Sequence, residues 1–329
     1  SLAVATTLVT GGAGYIGSHT VRALRDAGRD VVVLDSLELS TADAVLGAPL
    51  VVGDIADEVL VEQVCQDHAV DAIVHFAAYK NVGESMRTPA KYFHNNVDAT
   101  VHLIEAARRA GVDRFVFSSS CSVYGTPAQA PVDESQPIAP ESVYAETKAM
   151  VERVLHWYGE VAGLRSVSLR YFNAAGASFD SRIGEDWTYA LNLIPVALRA
   201  LLLGERELQV FGDDYPTSDG TCVRDYIHVD DLAAAHVAAI DYLHAGGSTT
   251  AVNVGTGIGS SVREVLDGIE RVAGQRVPHR VVPRRAGDPA ATFAETTRAR
   301  EVLGWEATHG LDEILETAYR WHLAQLDRV

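Results

Sequence analysis

Residues 7–17 constrain the fold more than any other stretch: the β-forming run Thr7-Leu8-Val9-Thr10 enters Gly11-Gly12-Ala13-Gly14-Tyr15-Ile16-Gly17 directly. A helical pattern follows over 18–27 with Gly28 placed to cap it, and then the apolar run Val31-Val32-Val33-Leu34-Asp35. Strand, glycine turn, helix and strand within about thirty residues make the βαβ unit of a dinucleotide site. The glycines let the turn tighten, the backbone approach a pyrophosphate, and the helix pack on the strand. Unpaired N–H groups and the dipole at the helix N-terminus then receive the anion. Asp35 lies eighteen residues beyond Gly17, at a strand end where a carboxylate holds ribose hydroxyls and repels a 2′-phosphate. NAD is therefore expected rather than NADP.

The alternation continues. A strand over 49–54 ends in Asp54, placed for the adenine edge, and a helix over 57–68 precedes a strand over 71–78. That strand runs into the small-residue turn Ala77-Ala78, beside the cofactor, with Lys80 just after it. His75 reads as a packed strand residue. A long helix is expected over 89–110, carrying Asn95 and Asn96, then a strand over 112–118, a helix from 142 and a strand over 164–171. Strands and helices alternating from 7 to 171 require a parallel sheet with helices on both faces. After Asn173 the pattern changes, with Gly, Asp, Ser and single aromatic residues through Trp187. A helix over 192–203, a strand over 207–211, an acidic loop over 212–220 and an alanine-rich helix over 230–244 follow. The glycine-rich turn at 255–261 lacks a third glycine and a following strand ending in an acid, so it reads as the cap of a helix over 262–273. The expected division is a nucleotide-binding domain over 1–174, joined by part of 225–247, and a smaller mixed α/β lobe over 175–329.

Charge narrows the partners. Forty-four acidic against 27 basic residues give a net −17, which argues against nucleic acid or an anionic membrane. An acidic protein that binds a phosphorylated ligand must concentrate its arginines locally. Cys65, Cys121 and Cys222 are widely spaced, form no metal-ligand pattern and fit a reducing compartment, so no metal is expected. With no charged segment leading into an apolar one at the start and no long apolar run, a cytoplasmic location is expected.

Residues 118–148 hold the reactive groups. The serines of Ser118-Ser119-Ser120-Cys121-Ser122-Val123-Tyr124-Gly125 sit at a strand end, and Tyr144 and Lys148 share one helical face. A hydroxyl, a phenol and an ammonium converging there can move a proton on and off a substrate hydroxyl. A free tyrosine titrates near 10; a neighbouring ammonium lowers that value, and a positive nicotinamide lowers it further. A Tyr-x-x-x-Lys pair alone is ordinary helix surface, and the nucleotide site ahead of it makes it informative.

Thr10-Gly11-x-x-Gly14-x-x-Gly17, the 118–125 stretch and Tyr144-x-x-x-Lys148 together resemble the extended short-chain dehydrogenase/reductases. Within that family the chain is similar, essentially end to end, to the nucleotide-sugar 4-epimerases, through segments 11–20, 82–85, 170–173, 192–195, 211–217, 219–229 and 284–288. The resemblance implies an α/β fold: a Rossmann-type doubly wound parallel sheet with a smaller mixed α/β substrate-binding lobe. It implies Tyr144 as base, Lys148 as its partner and Ser120 as the hydroxyl bridging to substrate. NAD would be held by Gly11, Gly14, Tyr15, Ile16, Gly17, Asp35, Asp54, Ile55, Phe76, Ala77, Ala78, Lys80, Asn95, Ser118 and Tyr171, together with Tyr144 and Lys148. The UDP-sugar would meet Ser120, Tyr144, Asn173, Asn192, Leu193, Phe211, Arg224, Arg285, Asp288 and Thr292.

The implied reaction is 4-epimerisation of UDP-hexoses, glucose with galactose, by oxidation at C4, rotation of the 4-keto sugar and re-reduction. Related dehydratases place Asp-Glu, and decarboxylases a Glu, where this chain has Cys121 and Ser122, so elimination has no evident proton donor. Thr292 stands where many members have a bulky Tyr, which leaves room for a 2-acetamido group and extends the expected range to UDP-GlcNAc and UDP-GalNAc. A pentose or uronic acid nucleotide as substrate, and an NAD-binding regulator without catalysis, stay open; the regulator would have no reason to keep Ser120, Tyr144 and Lys148 together. The resemblance also implies a homodimer through stretches 89–110 and 143–162, unless those faces only cover the sheet.

Overall fold

The structure, a computed structural model, describes residues 5–327. Strands β1 (Thr6–Thr10), β2 (Asp30–Asp35), β3 (Leu50–Val52), β4 (Val70–His75), β5 (Arg114–Ser120) and β6 (Arg165–Tyr171) occupy the first half. Between them run helices α1 (Tyr15–Asp26), α2 (Glu58–Asp67), α3 (Val82–Arg87), α4 (Pro89–Tyr92), α5 (Ala99–Arg109) and α6 (Val143–Ala162). Then come β7 (Asn173–Ala175), α7 (Leu193–Leu203), β8 (Leu208–Phe211), β9 (Val223–His228), α8 (Val229–His244) and β10 (Thr250–Val254). The chain continues through β11 (Gly259–Ser261), α9 (Val262–Ala273), β12 (His279–Val282), β13 (Ala291–Thr292) and α10 (Leu311–Leu326).

Seven strands form one parallel sheet in the order β10-β6-β5-β4-β1-β2-β3. Successive residues serve opposite faces: Leu8, Val32, Ile73 and Phe115 join the core under α2, α5 and α6. Val9, Val33, Val74 and Val116 join the core under α1 and α8. Burial on both faces explains why these strands read as continuous apolar runs. Strand order reverses between β1 and β4, which opens a crevice at the carboxyl ends of the strands.

Two features of this layer depart from the sequence reading. Strand β10, absent from that reading, pairs with β6 as an edge of the main sheet. Helix α8, within the 225–247 stretch expected to join this domain, lies in the same layer, its Leu232, Ile240 and Leu243 sharing a core with Val21 and Leu24 of α1. The sheet layer thus draws on residues 229–254, extending the expected 225–247 contribution through β10. The helical run over 89–110 is continuous but contains a π-turn at Phe93–Asp98 between α4 and α5. The remaining strands form a sheet around β9 and a β8–β12 pair, over a core that includes Ile194, Leu198, Val210, Ile269 and Leu315. Ser261 caps α9 in a reciprocal box with Glu264, as the turn there suggests. Among the described residues no helix is long and apolar enough to cross a membrane.

Burial lowers five histidines from 6.5: His19, His236 and His322 to about 4, His75 and His228 to about 3. The unfolded chain therefore takes up these protons first as pH falls. Their contribution to stability is complete above about 6.5 and is lost on acidification toward 4, by about 1.4 kcal/mol per pH unit for each net proton. Glu185 and Asp230, raised by burial to about 7 and about 6, oppose this but are outnumbered. The urea midpoint is expected to fall between pH 6.5 and 4.5. His322→Phe, which keeps the ring stacked on Trp187, should make the fall shallower; an unchanged slope contradicts the assignment.

Candidate active site

The loop between β1 and α1 is shaped by contact with its neighbours. Gly11 has φ +68°, and a Cβ there would stand 2.7 Å from the Ala77 amide nitrogen; at Gly17 it would stand 2.2 Å from the Gly11 carbonyl oxygen. Glycine alone lets three backbone segments meet here. Helix α1 starts at Gly14 without a side-chain cap, so its first N–H groups are left for an anion. Asp35 is nearly buried at the end of β2, where its carboxylate accepts from the amides of Ala13 and Leu37 and from the Ser40 hydroxyl.

A cleft of about 330 Å³ opens above this loop, and all seventeen residues assigned to NAD on sequence line it, from Gly11 to Tyr171. The glycine cradle and the acid at the β2 end fit a dinucleotide with free ribose hydroxyls. Glu185, Asp186, Tyr189 and Ala190 line the same cleft and were not anticipated. They belong to an irregular segment with no periodicity to reveal them.

Helix α6 carries the reactive pair, and its N-terminus is docked rather than free. Ser142 caps it through the Ala145 amide, and the Tyr144 amide donates to Ser85 of α3 at 3.1 Å. Lys148 is 4% exposed, and its Nζ donates to the Ser118 carbonyl at 2.8 Å, which fixes α6 to the end of β5. Ser120 accepts from both the amide and the hydroxyl of Ser122, at 3.1 and 2.8 Å, so its own proton is left to donate. Asn96, at the π-turn, clamps the Tyr79 amide and carbonyl, each at 2.9 Å, and donates to Thr147 at 3.3 Å. Thr147 in turn donates to the Tyr144 carbonyl. The turn after β4 and the helix bearing the phenol are thereby one unit. His75 is a packed strand residue, as expected, bonded to Thr10 and Thr100.

The electrostatics correct the sequence reading. Burial pushes the Tyr144 phenol up to about 12, with only the Ser120 hydroxyl acting to lower it. Burial, reinforced by Lys80, brings Lys148 down to about 7. The Lys148 Nζ lies 5.7 Å from the Tyr144 ring centre and spends a proton on a carbonyl. Desolvation outweighs the attraction between the two groups, and each is shifted toward its neutral form.

A second cavity, about 870 Å³, lies beside the first and is lined by Asn173, Asn192, Leu193, Phe211, Arg224, Arg285 and Asp288. Arg285 stacks over Phe211 at 4.4 Å and pairs with Asp288. The Arg224 guanidinium donates to the Val223 and Pro289 carbonyls, and no carboxylate pairs with it among the described residues. An unpaired cation in a chain of charge −17 suits a diphosphate. Ser120 and Thr292 are not on the wall of either cavity; Thr292 pairs in register with Arg224, and its buried hydroxyl has no partner.

A dinucleotide cleft at the switch point of a parallel sheet, with half-buried Tyr144 and buried Lys148 on its wall, defines a nucleotide-dependent α/β enzyme. The chain belongs to the NAD dependent epimerase/dehydratase family, whose model matches residues 7–255. It is 50% identical over 316 residues to a UDP-glucose 4-epimerase of Rhizobium meliloti (strain 1021), the match covering 96% of each chain. Among solved structures it is similar to the UDP-glucose 4-epimerase of Stenotrophomonas maltophila with bound NAD and formylated UDP-arabinopyranose. That likeness has a TM-score of 0.96 and 41% identity and covers 99% of this chain and 100% of that one. It also resembles the UDP-glucose 4-epimerase of Brucella ovis in complex with NAD, with TM-score 0.94, 44% identity, and 96% and 98% of the two chains covered.

Gly17→Ala should destabilise the fold by about 1–3 kcal/mol through overpacking against Gly11 and lower the NAD recovered with the protein. Urea titration and the absorbance of a deproteinised sample measure the two effects. Wild-type values for both would show that the close approach is not needed.

Proposed function

We infer that this chain interconverts UDP-glucose and UDP-galactose by inverting C4 of the bound sugar, with NAD resident through turnover. The observation that carries this is the placement of Tyr144 and the buried Lys148 on the cofactor cleft, which adjoins a cavity bearing an unpaired arginine. NAD, when bound, accepts the C4 hydride and later returns it. Tyr144 acts as phenolate, balanced by the Lys148 ammonium: it takes the proton of the C4 hydroxyl as hydride leaves C4, becoming a neutral phenol, and returns that proton on re-reduction, while Ser120 donates to the same oxygen. Two groups so close titrate as a unit. Arg224, Arg285 and Asn173 grip the UDP moiety while the 4-keto sugar turns, so binding is tight at the nucleotide and loose at the ring.

Dehydration finds no support. Burial pushes the Cys121 thiol up to about 12, where it is a poor proton donor at neutral pH. Tyr144→Phe is expected to lower kcat about 10²–10⁴-fold with little change in UDP affinity. A coupled UDP-galactose assay with UDP titration calorimetry measures both, and wild-type turnover would refute the mechanism. Acceptance of UDP-GlcNAc and UDP-GalNAc rests on the small side chain at Thr292, which pairs beside Arg224 behind the wall of the second cavity rather than on it. Thr292→Tyr should suppress turnover of the acetamido pair selectively, and equal losses on both pairs would contradict that range.

A homodimer forms through α5 and α6, where Val101, Val154, Trp157, Tyr158 and Val161 make an apolar groove. Trp157 is 56% and Val161 76% exposed, more than a lone subunit gains from leaving in water. Trp157→Glu should halve the mass seen by light scattering. The three unpaired thiols suit the reducing cytoplasm in which such an enzyme would work.

A further inference from the structure

Residues 183–190 form an irregular strap along the cofactor cleft, to which Glu185, Asp186, Tyr189 and Ala190 contribute wall. The next residues, Leu191, Asn192 and Leu193, line the second cavity, so one run of chain borders both ligands. No strand or helix includes the strap, and side chains hold it in place. Upstream, Ile183 is bonded to Ser178 and Asp180 pairs with Arg22 of α1. Downstream, Arg199 of α7 donates to the Trp187 carbonyl at 3.1 Å.

The middle is held by two consecutive residues of α10. Trp321 donates its indole N–H to the Glu185 carbonyl at 2.9 Å. The face of its ring lies so close to Gly184 that a Cβ there would stand 2.5 Å away. His322, 3% exposed, stacks on Trp187 with ring centres 4.5 Å apart and planes 5° from parallel. Trp321 thus fixes the residue immediately before Asp186 through both its polar and its flat apolar surface.

We propose that Trp321 is a positioning residue that pins the strap over the cofactor cleft, so that retention of NAD between turnovers depends on the C-terminal helix. The proposal rests on the reading that the cleft holds NAD. The sheet and α1 supply one side of the cleft, and the strap supplies another, whose middle is held by α10. An enzyme that returns its hydride to the same substrate gains from keeping the dinucleotide in place, and the strap is the segment able to let it go. His322 shares the task by locking Trp187.

The test compares wild type, Trp321→Ala, Trp321→Phe and, as a control on the outer face of α10, the exposed Leu323→Ala. Bound NAD is measured from the absorbance of deproteinised samples, and exchange by uptake of fluorescent etheno-NAD. Trp321→Ala should exchange roughly tenfold or more faster than wild type, the change expected for about 1.4 kcal/mol of lost anchoring. Its kcat should recover in excess NAD, because Ser120, Tyr144 and Lys148 are untouched. Trp321→Phe, which keeps the ring but loses the donor, should fall between the two, and Leu323→Ala should match wild type. Wild-type occupancy and exchange in both Trp321 variants would overturn the proposal. So would equal acceleration by Leu323→Ala. If Trp321→Ala does not fold, Trp321→Phe decides. A wild-type protein that neither carries NAD nor takes up etheno-NAD would instead refute the reading of the cleft.

Discussion

The amine of Lys148, sealed from water and resting on the Ser118 carbonyl, is the contact on which the site depends. It joins the helix that carries the phenol to the strand end that carries the serine hydroxyl. One turn further along α6, Glu152 repeats the attachment: it accepts from Ser119 at 2.6 Å and pairs with Arg170 of β6 at 2.7 Å. Burial alone would lower Arg170, but the Glu152 carboxylate holds it above its ordinary value. Removing one partner of such a pair leaves an uncompensated buried charge, a loss of about 3–5 kcal/mol. Helix α6 therefore cannot slide along β5 without breaking both attachments. The distance between Tyr144 and Ser120 is set by rigid backbone, which is what proton transfer requires.

A second constraint is electrostatic. Both ligands of an enzyme of this family are diphosphates, yet the chain carries −17. It resolves this locally. Arg224 is held by carbonyls, which orient it without neutralising it. In the cofactor cleft, burial brings Glu185 up and Lys148 down, each to about 7. Where these two groups lie, desolvation opposes fixed charge, and charge that develops there is felt strongly.

Much of the site is readable from residue order because its causes are local. A glycine turn between an apolar strand and a helix, with an acid at the next strand end, admits few other structures. Tyr144 and Lys148 share a face by helical period alone. Other parts resisted reading for the opposite reason. β10 is five residues between two glycine turns, too short to show which sheet it joins, and only its pairing with β6 makes it part of this one. Asn96 looks like any polar residue in a helix until its clamp on Tyr79 and Thr147, across 17 and 51 residues of chain, is seen. The strap at 183–190 is irregular, and its anchor lies 136 residues away.

The amino-acid order by itself determined the nucleotide-binding unit, the preference for NAD and the shared helical face of Tyr144 and Lys148, since each follows from sterics and spacing within a few turns of chain. The tertiary structure decided which elements complete the sheet, what closes the cofactor cleft and how the phenol titrates. Those depend on burial, and burial is a property of distant segments packing together. A neighbouring lysine can be seen in a sequence; the desolvation that outweighs it cannot.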